Sequence, residues 1–220
     1  MTDARTDAPS ARRDSVTDPT EWRQLPPAEP IALRDPLAEL LGMVSTEDPL
    51  VVTFPEVAKA AGHACPAVGG AYRATQVALE ALYPESLPVR GQIAVRIDGD
   101  RTGHGVGPMA RVVEHITGAS DESGFEGLAG HGGRQDLLTF GPVDGPGTGR
   151  SFAFTRTDTG ETVRLSYDPS KTGGMHDLIP AITGEDGSTK EEAVAEWHRR
   201  VERILAMTPD PDGPLVLERD

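Results

Sequence analysis

Cysteine occurs once among the 220 residues, at Cys65. An internal disulfide is therefore impossible, as is a zinc ribbon or iron–sulfur cluster built from thiolates alone. Any resident metal would need histidine or carboxylate ligands beside at most one thiolate. Basic residues are also few. Lys and Arg number 21 against 35 Asp and Glu, a formal charge of −14. A field of that sign repels phosphate backbones, so nucleic acid is not expected as a partner. No apolar run approaches the roughly 20 residues that span a bilayer, and no apolar stretch follows the N-terminal charges as a secretory leader would. A cytoplasmic protein without a membrane partner is expected. Aromatics at 5% and apolar residues at 37% are low for a chain packed along its whole length, which implies that part of it stands outside the core.

Proline marks one such part. Pro9, Pro19, Pro26, Pro27 and Pro30 lie among Asp, Arg, Thr and Ser, so residues 1–33 read as a disordered tail. Residues 208–220 read as an acidic tail whose Leu-Val-Leu run could dock on the body. Between the tails, residues 34–207 form one domain with its core at 50–168. A short helix is expected at 36–44, with Leu37, Leu40 and Leu41 on one face. Thr53-Phe-Pro-Glu56 has the pattern of a capping box opening a second helix that stops at Gly62. A third helix runs over 66–83, where Val68, Tyr72, Thr75, Leu79 and Leu82 recur at helical spacing. Gly69 and Gly70 weaken its first turns by about 1 kcal/mol each relative to alanine. The compensation is close approach of another backbone or of a ligand. Residues 92–97 alternate as a strand, 107–117 are helical, 137–140 form a short strand, and 151–155 with 162–167 form a hairpin. Residues 190–207 form an amphipathic helix that could pack in a homodimer. Helix, strand, helix and three strands in that order make an α+β fold.

The stretch richest in chemistry is Gly62-His63-Ala64-Cys65-Pro66. Proline at the first helical position puts Cys65 at the N-cap, where amide groups and the positive dipole end favour an anion and should lower the thiol pKa. A metal would remove that proton outright. The same residues also suit a plain reading, with Cys65 a small core residue and His63 closing the preceding helix. A second cluster, Asp98-Gly-Asp-Arg-Thr-Gly-His104-Gly-Val-Gly107, leaves the end of a strand and opens a helix, a common place for ligand sites. Its glycines do not fit the dinucleotide fingerprint. Gly130-His131-Gly-Gly-Arg134 offers a third imidazole or a surface loop. Arg73 suits a carboxylate on a ligand or a structural ion pair. His115 reads as a surface or interface residue and His198 as solvated, and His176 could be a lid residue but is given no role.

The run Gly62-His63-Ala64-Cys65-Pro66, then Gly70-Ala71-Tyr72-Arg73-Ala74, resembles the G-H-x-C-P-G…G-Y-R-A signature of the FmdE family, named after a component of formylmethanofuran dehydrogenase. Gly149-Arg150-Ser151-Phe152-Ala153-Phe154 and the strand Thr162-Val163-Arg164-Leu165 are similar to that family's later strands. The resemblance covers roughly residues 50–168. It implies an α+β fold and a pocket in which the first motif's His and Cys meet the loop after the first strand around a metal, commonly zinc. The chain departs from the family at Ala67, where glycine is usual, and at the loop after the first strand. There His104 stands in for the usual cysteine. The C-terminal cysteine-rich zinc module of some members is replaced by the 190–207 helix.

The resemblance thus implies a zinc-binding protein with His63, Cys65 and His104 as ligands and His131 or water in the fourth place. Such a site either supports catalysis on a small molecule or serves a redox enzyme as an accessory. Two alternatives stand beside it. One is a metal-free enzyme with Cys65 as nucleophile and His63 or His104 as base. The other is a degenerate FmdE-like interaction module.

Overall fold

The computed structural model describes residues 25–185 and 189–219. Most of the expected tail at 1–33 lies outside them, but its last part does not behave as one. Ile31–Leu33 forms strand β1, with Ile31 and Leu33 buried, and pairs antiparallel with β2 (Leu50–Val52). Helix α1 (Pro36–Leu40) starts on Asp35, whose carboxylate accepts from the amides of Leu37 and Ala38. It is shorter than expected and buries no residue. Leu37 is half-buried, whereas Leu40 and Leu41 are 57% and 52% exposed.

Helix α2 (Phe54–Ala61) begins with the expected capping box. The Glu56 carboxylate accepts from the amide and hydroxyl of Thr53, each at 2.7 Å, and Gly62 closes the helix in the left-handed conformation. Helix α3 (Pro66–Leu82) is the central element, with 13 of its 17 residues buried. Its small residues explain that position. They allow α4 (Val106–Thr117), α6 (Lys190–Leu205) and the sheet to approach on different sides. Helix α5 (Ile179–Thr183) is a short link packed on α6.

The main sheet has the order β4-β3-β5-β6-β7, with β3 (Ile93–Ile97), β4 (Leu138–Phe140), β5 (Arg150–Arg156), β6 (Thr162–Tyr167) and β7 (Leu215–Arg219). β4 runs parallel to β3, and every other pairing in this sheet is antiparallel. Alternation on β3 turns Ile93, Val95 and Ile97 into the core and leaves Arg96 exposed. Helices and mixed sheet make the fold α+β, as expected. In the acidic segment at 208–220 the Leu-Val-Leu run does lie on the body, in the edge strand Leu215–Arg219, which pairs with β6 over five residues. Helix α6 keeps its apolar face within the chain, burying Ala193, Val201, Ile204 and Leu205. No helix among the described residues is long and apolar enough to cross a membrane.

A charge cluster invisible to local pattern locks the periphery. Asp35 pairs with Arg90 at 2.9 Å and with Arg134 at 2.8 Å. Burial raises the Asp35 pKa, but the hydrogen bonds from Arg90 and the Ala38 amide and the charge of Arg134 outweigh it. The carboxyl ends below its ordinary value. Arg90 also donates to the carbonyls of Ile116 and His115 at the end of α4, where the helix dipole is negative.

Candidate functional site

The Gly62–Pro66 link joins two helices that meet end to start. Cys65 is the N-cap of α3, with extended backbone (φ −142°, ψ 176°), as Pro66 at the first helical position requires. The sulfur is half-buried and packs against the core. Burial pushes the Cys65 thiol up, against the opposing pull of the Val68 and Ala67 amides. The expected lowering of this pKa is therefore corrected: the dipole end is present, but desolvation outweighs it.

Two side chains close around this link. Trp197 of α6 donates from its indole Nε1 to the Ala64 carbonyl at 2.7 Å. Tyr167, at the end of β6 and fully buried, donates its hydroxyl to the Pro66 carbonyl at 3.0 Å. Burial raises the Tyr167 pKa strongly, and the neighbouring Cys65 adds to the rise. Arg73 donates to the Met207 carbonyl at 2.6 Å and to Gln76 at 2.6 Å, which ties the end of α6 to α3. No carboxylate partner of Arg73 is needed to explain its place.

The two helical glycines serve this closure. A Cβ at Gly69 would lie 3.4 Å from Val201 Cγ1 and 3.5 Å from Ile204 Cγ2 of α6. A Cβ at Gly70 would fall 2.5 Å from Tyr167 Cδ1 and nearer still to two other ring atoms. The close approach expected at these glycines is made by the chain itself.

The histidines stand apart from the sulfur in character. His63 is exposed, with Nδ1 3.3 Å from the carbonyl of Ala61, the last residue of α2. As the Nδ1–H tautomer it donates there and caps that helix. His104 is exposed on the β3–α4 loop, and its own carbonyl accepts from Arg150 at 3.3 Å. His131 is exposed on a hairpin made by mutual amide bonds with Leu128. His115 is half-buried on α4, and its pKa is lowered by burial and then by Arg90. His176 is exposed, and His198 is half-buried rather than solvated.

Zinc needs three or four donor atoms converging at about 2.0–2.3 Å on one point. Among the described residues, no three His, Cys, Asp or Glu side chains form a group that could hold a metal ion. Two cavities lie elsewhere. One, of about 230 Å³, is lined by Lys171, Thr172, Arg203, Ile204, Met207 and Pro214. The other, of about 180 Å³, lies between the segment around Ile31 and the end of α3 near Tyr83. None of His63, Cys65, His104 and His131 lines either one.

Comparison with known proteins adds no assignment: no protein-family model matches the chain, and no curated protein is significantly similar to it. The fold class stands on the structure. Sequence reasoning missed Tyr167 and Trp197 as the groups that cover the Cys65 link. An aromatic residue ending a strand and another on the apolar side of the last helix were the available signals, but neither specifies a partner 101 or 133 residues away in sequence.

Proposed function

We propose that the chain is a non-enzymatic binding module on an FmdE-like scaffold, in which the Gly62–Pro66 link organises the fold instead of performing chemistry. One observation carries this reading. The C-terminal helix is built onto that link, through the 2.7 Å bond from Trp197 to Ala64 and the seating of Val201 and Ile204 against Gly69. A nucleophile or an open metal site needs a free approach for substrate, and here the backbone on either side of Cys65 is tied to the body by Trp197 at Ala64 and by Tyr167 at Pro66. The upward shift of the thiol supports the same reading, because a protonated sulfur is a weak nucleophile. A cytoplasmic setting belongs to this proposal, since it keeps the lone thiol reduced.

The rivals are zinc held by His63, Cys65, His104 and His131, and a metal-free enzyme that uses Cys65. Elemental analysis of the purified protein beside Cys65→Ser and His104→Ala variants separates the first. The proposal expects metal well below one equivalent and unchanged in both variants. One equivalent of zinc in the parent, lost in both variants, would restore the metal centre.

A further inference from the structure

The described surface carries one apolar cluster that the fold does not use. Leu40, Leu41 and Met43 are 57%, 52% and 74% exposed, and Phe125 and Leu128 are 49% and 48% exposed. The two groups are neighbours. Leu40 and Leu41 follow Leu37 by three and four residues and share its side of the turn. Leu37 lies against Gly132, where a Cβ would stand 2.7 Å from Leu37 Cβ. Gly132 belongs to the hairpin that carries Phe125 and Leu128, closed by amide bonds between Leu128 and His131 and from Arg134 to Phe125. The Asp35–Arg134 ion pair fixes the start of α1 to the end of the same hairpin. These side chains are therefore displayed on pinned backbone.

Exposed carboxylates follow both parts of the cluster along the chain. Glu47 and Asp48, just beyond Met43, and Glu126, beside Phe125, are exposed carboxylates that take part in no ion pair among the described residues. The nearby cation Arg34 is already paired with Glu39 at 2.7 Å. An apolar centre with an acidic rim fits a partner with an apolar stripe flanked by Lys or Arg. A second copy of this chain is the poorer fit. It would bring the same acidic rim and a formal charge of −14 to a self-facing contact.

We infer that this face docks a basic amphipathic segment of a partner protein. The inference rests on reading the chain as a binding module and supplies the partner's chemistry. The test uses the full chain and two labelled peptides, a helical Leu/Lys peptide and its Leu/Glu counterpart, read by fluorescence anisotropy. The Leu/Lys peptide is expected to bind. The double variant Leu40→Ser/Met43→Ser should weaken it by about tenfold or more, although the charge is unchanged. Glu47→Gln/Glu126→Gln should weaken it and flatten its dependence on salt. All these side chains are exposed, so thermal unfolding should match the parent. Equal binding by the Leu40→Ser/Met43→Ser variant, or equal binding of the Leu/Glu peptide, overturns the inference. A parent dimer that this variant converts to monomer reassigns the face to self-association and also overturns it. None of these outcomes bears on zinc content, so failure here is distinct from failure of the binding-module reading.

Discussion

Replacing Gly70 by alanine sets two effects of opposite sign against each other. In a helix interior alanine is favoured over glycine by about 1 kcal/mol. The new methyl group, however, would lie 2.5 Å from Tyr167 Cδ1 and nearer to other ring atoms, whereas carbon atoms rest at about 3.5–4.0 Å. The ring is fully buried and cannot swing into solvent. Its retreat over-packs the core at a cost of about 1–3 kcal/mol. It also breaks the 3.0 Å bond to Pro66, worth about 0.5–1.5 kcal/mol. The losses exceed the gain, for a net destabilisation of about 0.5–3.5 kcal/mol. At about 2–4 °C per kcal/mol for a chain of this size, the melting temperature falls by roughly 1–14 °C. Gly69→Ala is the internal control. Its methyl group would meet Val201 and Ile204 at 3.4 and 3.5 Å, so the propensity gain survives and the variant is neutral to about 1 kcal/mol more stable. Thermal and urea unfolding of the two variants side by side provide the check. A Gly70→Ala protein as stable as Gly69→Ala would refute the packing argument.

Trp197→Phe keeps the apolar ring and removes the bond to Ala64, a loss of about 0.5–1.5 kcal/mol. Labelling of Cys65 by a disulfide reagent should quicken about two- to tenfold, and an unchanged rate would show that α6 does not guard the sulfur. Asp35→Ala strips the α1 cap and leaves Arg90 and Arg134 unpaired, at a cost of about 3–5 kcal/mol by denaturant unfolding, while Asp35→Asn costs less because it keeps the cap. The Asp35 pKa is lowered on folding, so its contribution is complete above the unfolded value near 3.9 and is lost as pH falls through the folded value. The parent's advantage over Asp35→Asn should shrink in that acid window, and a constant advantage would contradict the assignment. The Cys65 pKa is raised instead, so stability should decline as pH climbs past the unfolded thiol value near 8.5. That decline should be missing in Cys65→Ser, and an identical alkaline slope in both proteins would count against the shift.

The parts of the fold legible in the sequence are those set by near neighbours. The Thr53–Glu56 box, the proline that starts α3 and the alternation of β3, β5 and β6 follow from contacts within a few residues or across one hairpin. The short edge strands were hidden for the opposite reason. β1 lies in a proline-rich stretch and β7 in an acidic one, and each becomes a strand by pairing with a distant partner. The Asp35 cluster joins residues 55 and 99 positions apart, which no window can register. The candidate site divides the same way. The N-cap place of Cys65 was readable from Pro66. The direction of its pKa was not, because the indole that helps close the link comes from 133 residues further along the chain. The dipole at the start of α3 is a local property, whereas the desolvation that opposes it arises only from tertiary packing.

The most direct test of the closed Cys65 link is the labelling rate of its thiol in the native protein, compared with the unfolded chain, with and without a chelator. The account predicts native labelling at least about tenfold slower than unfolded, indifferent to the chelator. Labelling faster than in the unfolded chain would reveal an activated nucleophile, and protection removed by the chelator would reveal a bound metal. Either result contradicts the account.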